Sequence, residues 1–196
     1  MNQISNLLLN YSPITGSIVK RIKPIQTYIK YNNMDPTKFQ HTWVLWYHDP
    51  DNKDYSLSSY IMIADITTPE QFWSIVDNIP KEAWECGMFF MMKKGFPPLW
   101  ECDENKNGGA WSKKIDASQA QTSFIDLMVH CCSNELLVKN QETLVGISIS
   151  PKGQFHIIKI WNLSTKVSDK SNLNPGLTYY KVTDDVTYTS HNARPK

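Results

Sequence analysis

Between His41 and Ser190 the chain is cut into short β-forming runs, each closed by turn residues, and only two segments carry the apolar period of a helix. That rhythm leaves little freedom in fold class. Trp43-Val44-Leu45-Trp46-Tyr47 predicts a strand over 41–47, which Asp49-Pro50-Asp51-Asn52 turns back toward an expected hairpin partner over 55–64. Further strands are predicted over 88–92, 111–115, 144–150 and 155–161, with a final pair near 178–181 and 186–190. Thr68-Pro69-Glu70-Gln71 has the form of a capping box with proline at the first helical position. Phe72, Ile75, Val76 and Ile79 then make one buried stripe, which Pro80 ends. A second helix opens at Asp116 with Gln119 and presents Phe124, Leu127, Met128 and Cys131 to the core, with Ile125, Val129 and Cys132 alongside. Many strands and two helices predict an α+β fold: a largely antiparallel sheet covered by helices on one face, leaving the other face for a site.

A chain of 196 residues suits one core. Residues 1–33 show neither period and read as an N-terminal extension, which leaves 34–196 as the folded domain. No apolar run approaches the ~20 residues of a membrane span, and Leu7-Leu8-Leu9 is too short for a signal core, so a soluble cytoplasmic protein with no membrane contact is expected. A formal net charge of +1 gives no broad footprint for a long polyanion, so any RNA ligand is a small, defined piece. Cys86, Cys102, Cys131 and Cys132 form no C-x-x-C pair, and two are adjacent, so all four read as reduced core thiols and not as a metal site. Enzyme templates are missing: there is no G-x-S-x-G, P-loop or H-E-x-x-H, and the five histidines are scattered.

The seven tryptophans are the unusual feature. Trp100 follows Gly95-Phe96-Pro97-Pro98 on a predicted loop, and Glu101 follows it. A tryptophan beside a carboxylate suits a planar ring: the indole stacks while the carboxylate accepts two N–H bonds from the ring's edge, as guanine offers. The same pair equally describes a loop tryptophan packed for stability.

Trp43-Val44-Leu45-Trp46-Tyr47, Phe72-Trp73, Pro98-Leu99-Trp100-Glu101, Asn105-Lys106-Asn107-Gly108-Gly109-Ala110-Trp111 and Ile160-Trp161 stand in an order and near a spacing that resemble the eukaryotic translation initiation factor 4E family. The similarity is good over 37–161 and looser elsewhere. It implies a curved antiparallel sheet of about eight strands with helices on the convex back. The concave cleft is then a site for the 7-methylguanosine 5′ cap of messenger RNA. On that resemblance Trp100 is one stacking ring, and the other falls at Tyr55 if the preceding loop carries one extra residue. Glu101 reads guanine and Trp161 contacts the methyl group. N7 methylation makes the base cationic, which aromatic faces attract by about 0.5–2 kcal/mol per contact.

The phosphate clamp departs from the family, because Ala110 stands where an arginine is usual and an apparent two-residue insertion precedes Trp161. Lys152, His156 and Lys159 are the candidates there, with Arg194 and Lys196 beyond the family-like Tyr188-Thr189-Ser190-His191. On the convex side Trp73, Ile125, Asp126 and Val129 match the groove that takes a short helical motif from an initiation scaffold or a competing repressor. The implied protein is a monomeric, non-enzymatic initiation factor without a cofactor. The alternatives are a cap-binding translational repressor or an enzyme acting on caps or nucleotides.

Overall fold

The computed structural model describes residues 38–193. The 1–33 extension and the cationic candidates Arg194 and Lys196 lie outside the described residues. Seven strands form one curved antiparallel sheet: β1 (Trp43–His48), β2 (Ile61–Ile66), β3 (Met88–Lys93), β4 (Gly109–Asp116), β5 (Leu144–Lys152), β6 (Phe155–Asn162) and β7 (Thr187–Ser190), in spatial order β2-β1-β3-β5-β6-β4-β7. The expected curved antiparallel sheet of about eight strands thus has seven among the described residues.

Two predicted strand segments turn out otherwise. The 55–64 run becomes a strand only from Ile61, because Ser56 donates its N–H to Asp54 Oδ1 at 2.8 Å and opens a 3₁₀ turn over Leu57–Ser59. The 178–181 run is a turn, since Lys181 has a left-handed φ of +34° that no strand accommodates.

Among the described residues three α-helices cover one side. Helix α1 (Pro69–Asn78) starts as predicted: Thr68 Oγ1 accepts the Gln71 N–H, and the Gln71 side chain reaches back one residue further than the cap, to Thr67 N–H at 2.8 Å. Phe72, Ile75, Val76 and Ile79 are all buried. Pro80 does end α1, yet its fixed φ also starts a short helix that the sequence reading lacks, α2 (Lys81–Cys86), which buries Ala83 and Trp84. Asp116 caps a 3₁₀ turn by accepting Ser118 N–H at 2.8 Å, and α3 (Ala120–Cys132) continues from it with Phe124, Leu127, Met128 and Cys131 buried. Of the four cysteines only Cys131 and Cys132 are core thiols. Cys86 is exposed at the end of α2 and Cys102 half-buried, which corrects the uniform core assignment.

Strand alternation sorts side chains onto two faces. Leu45, Phe89, Met91, Trp111, Ile147, Ile149, Ile158 and Ile160 join the helices in the main core. Phe90, Met92, Ala110, Val145 and Trp161 form a separate cluster on the concave face, with Trp46, Tyr60 and Trp100 packed against it. No helix among the described residues is long and apolar enough to cross a membrane.

Candidate functional site

A cavity of about 170 Å³ opens on the concave face, walled by Tyr55, Tyr60, Phe90, Trp100, Glu101 and Trp161, with Ser148, Ser150 and Lys159 at its edge. Pockets that engulf a small molecule usually measure ~300–1,000 Å³. This one fits a single flat group and leaves the rest of its ligand outside.

The Trp100-Glu101 loop is held by the downstream Asn-Lys-x-Gly-Gly segment. Asn105 is buried, and its amide donates to the carbonyls of Pro97 and Leu99, each at 2.8 Å. The Cys102 thiol also donates to Leu99 O at 3.1 Å, and burial pushes that thiol up to about 11. A Cβ at Gly108 would run into the Asn162 carbonyl, so only glycine lets this loop close against β6. His191 ties the assembly together: its Nδ1–H donates to Asn105 O at 2.8 Å, and its ring meets Trp161 edge-on at 5.0 Å. Trp161 forms the buried floor, its indole N–H donating to Ser148 Oγ at 2.9 Å.

The opposite wall comes from the loop after β1. Tyr55 is 46% exposed and stacks on His48 with centroids 4.9 Å apart and planes 12° from parallel. His48 is fully buried, donates from Nε2 to Asp54 O at 2.8 Å, and also packs on Tyr60. Tyr60, absent from the sequence reading, is half-buried and sets its ring edge-on to Phe90 at 5.4 Å. Burial raises the Tyr60 phenol above its usual range and the Glu101 carboxylate adds to this, so Tyr60 is a neutral hydroxyl beside an acid.

The cationic candidates divide. Lys159 lines the cavity, and Lys152 is exposed at the far end of β5. His156 is corrected: it is 1% exposed and faces the helices, where Nε2 donates to Glu85 O at 2.9 Å, so it points away from the concave site. The register explains why, since Phe155, Ile157, Lys159 and Trp161 share one face of β6 and His156, Ile158 and Ile160 the other. Lys114 of β4, which sequence reasoning missed, lies on the Lys159 side, its Nζ 5.0 Å from the Phe155 ring centroid.

On the convex side Trp73 is 50% exposed and rests edge-on against Phe72 at 5.0 Å. Val129 is exposed and Ile125 half-buried on α3. Asp126 lies between them, with Oδ1 3.9 Å from His130 Nε2 and Oδ2 buried without a hydrogen-bond donor. The helical side thus presents Trp73 on α1 and, on α3, Ile125 and Val129 with one unsatisfied acceptor at Asp126.

One antiparallel sheet with helices behind it, and in front an aromatic cup with one carboxylate in its lining, defines an α+β domain with a concave-face cavity. The chain belongs to the eukaryotic initiation factor 4E family, whose model matches residues 38–196. It is 24% identical over 127 residues to translation initiation factor 4E of Aplysia californica, covering 62% of this chain and 59% of that protein. Factor 4E-2 of Schizosaccharomyces pombe is 26% identical over 162 residues, 78% of this chain and 66% of the relative. The chain thus spans less than two thirds of the length of these relatives. Among solved structures, Caenorhabditis elegans eIF4E-3, in complex with the 4E-binding protein Mextli and a cap analog, shares the fold with a TM-score of 0.69 at 20% identity, covering 83% of this chain and 98% of that one. Ascaris suum eIF4E-3 in complex with an m2,2,7G cap gives 0.68 at 21% identity over 83% and 95%.

Proposed function

We propose that this protein binds the 7-methylguanosine 5′ cap of messenger RNA in the concave cavity and, through its convex groove, recruits capped messages to an initiation scaffold in the cytoplasm. The observation that carries the reading is the Asn105-anchored loop, which holds Trp100 and Glu101 in one cavity with Tyr55, Tyr60 and Trp161. The cationic base stacks between Trp100 and Tyr55, and Trp161 meets its methyl group. Glu101 accepts the N1–H and 2-amino bonds in a charge-assisted fork. Lys159 and Lys152 meet the phosphates. Trp73, Ile125 and Val129 receive the apolar side of a short amphipathic helix, and Asp126 accepts one of its donors. The chemistry is recognition without turnover.

Support comes from family membership and from the cap and 4E-binding-protein complexes of the nematode relatives. The test is retention of the full chain on immobilised 7-methylguanosine triphosphate at moderate salt. Elution by that nucleotide and not by GTP is expected, and failure to bind overturns the reading.

A further inference from the structure

We propose that the concave face carries a second subsite, beyond the base cavity, that takes the nucleotide following the cap, with Phe155 as its stacking platform and Lys114 as its phosphate contact. This rests on the cap reading above and extends it along β6.

The register lays out the path. On the concave face β6 presents Trp161, Lys159, Ile157 and then Phe155, while β4 sets Ala110, Ser112 and Lys114 directly opposite Trp161, Lys159 and Ile157. From β5, Lys152 pairs with Phe155. Trp161 and Lys159 belong to the cavity. Four residues of strand, about 13 Å, separate Lys159 from Phe155, so Phe155 lies outside the base cavity but on a continuous surface with it.

Phe155 is half-buried on the side of the sheet that no helix of the described residues covers, and it belongs to neither core cluster, so packing within those clusters does not account for an aromatic ring there. The Lys114 ammonium sits over that ring at 5.0 Å. A ring backed by an exposed lysine is the pairing that single-stranded nucleic acid uses, the base on the aromatic face and its phosphate on the cation. The nearest carboxylate in register is Asp116, opposite Phe155. It is turned to the start of the helical segment, where it accepts Ser118 N–H at 2.8 Å and the Ser118 hydroxyl at 2.5 Å. Its charge remains, but two lysines, Lys114 and Lys152, stand beside Phe155 against this one carboxylate, although the chain as a whole carries only +1.

Where the family resemblance leads one to expect an arginine close to the base, this chain has Ala110, which is fully buried. Beyond Lys159 of the cavity, its concave-face cations stand further along the sheet, at Lys114 and Lys152. That displacement matches a ligand held less by the first phosphates and more by the nucleotide after them.

The experiment compares affinities of the full chain for 7-methylguanosine triphosphate, a capped trinucleotide and the same trinucleotide uncapped. The wild type should bind the capped trinucleotide about tenfold more tightly than the bare cap nucleotide, the scale of one base stack. Lys114→Ala and Phe155→Leu should each remove most of that gain while leaving the affinity for 7-methylguanosine triphosphate unchanged. Equal affinity of the wild type for both capped ligands overturns the subsite. So does an uncapped trinucleotide that binds as tightly as the capped one, which would make the strip a general RNA surface. If no capped ligand binds at all, the cap reading itself falls and the subsite with it, a pattern distinct from binding without a gain.

Discussion

The convex and concave faces of the sheet use the same residue types to opposite ends. On the convex side Trp43, Trp84 and Trp111 are essentially inaccessible, closed in by helices and strands that leave no room for a ligand. On the concave side Trp100 and Trp161 line a cavity that no helix of the described residues covers, and polar groups hold its aromatic walls in place: Asn105 under the Trp100 loop, Ser148 on the Trp161 indole, His48 behind Tyr55. Trp73 is the exception on the helical side, exposed because it lies off the buried stripe of α1. Hydrogen bonding alone does not separate the two groups, since buried Trp111 also donates its indole N–H, to Ser168 O at 2.8 Å; what separates them is whether helices close over the ring.

The largest effect that separates the faces is on stability. Trp84→Ala should destabilise the protein by about 3–5 kcal/mol in denaturant unfolding, whereas Trp100→Ala should lower the unfolding free energy by less than roughly 0.5 kcal/mol. Comparable losses for the two would erase the distinction. Next in size, Trp73→Ala should weaken a scaffold-derived helical peptide by about 2 kcal/mol or more, near thirtyfold, and leave cap affinity intact. A change in cap affinity would mean that the two faces are coupled. Trp100→Ala should cost roughly 1–3 kcal/mol in affinity for every cap analogue tested by calorimetry, because stacking tolerates many bases. The smallest effect belongs to the support beneath the wall: His48→Ala should cost about 1 kcal/mol in cap binding by leaving Tyr55 unstacked, and His48→Phe should restore most of it. Equal behaviour of the two variants would show that the stack on His48 does not matter.

Much of this contrast was legible in the sequence wherever one local rule decided the outcome. The Thr68 cap and the Phe72, Ile75, Val76, Ile79 stripe follow from helix geometry alone, and the Trp100-Glu101 pair announced itself by sitting between prolines and a glycine turn. What escaped depended on register or on distant partners. His156 and Lys159 are both cationic candidates in one strand, and only the pairing of β6 with β4 shows that they face opposite ways. Lys114 was missed for the same reason. Tyr60 enters the cavity because a 3₁₀ turn delays β2, and α2 was hidden because a proline that ends one helix also begins the next. The His191 to Asn105 bond spans 86 residues of chain and no local pattern signals it.

The central claim, that Glu101 reads the edge of a methylated guanine stacked on Trp100, is tested most directly by titrating the wild type and Glu101→Gln with 7-methylguanosine triphosphate and 7-methylinosine triphosphate, following tryptophan fluorescence. Glutamine keeps the shape but removes the charge and turns one acceptor into a donor facing guanine's donors, at a cost of about 2 kcal/mol or more. Hypoxanthine lacks the 2-amino donor, so its loss should be much smaller. Equal losses for the two ligands, or no loss for either, would contradict the assignment of Glu101 and the orientation of the cap that follows from it.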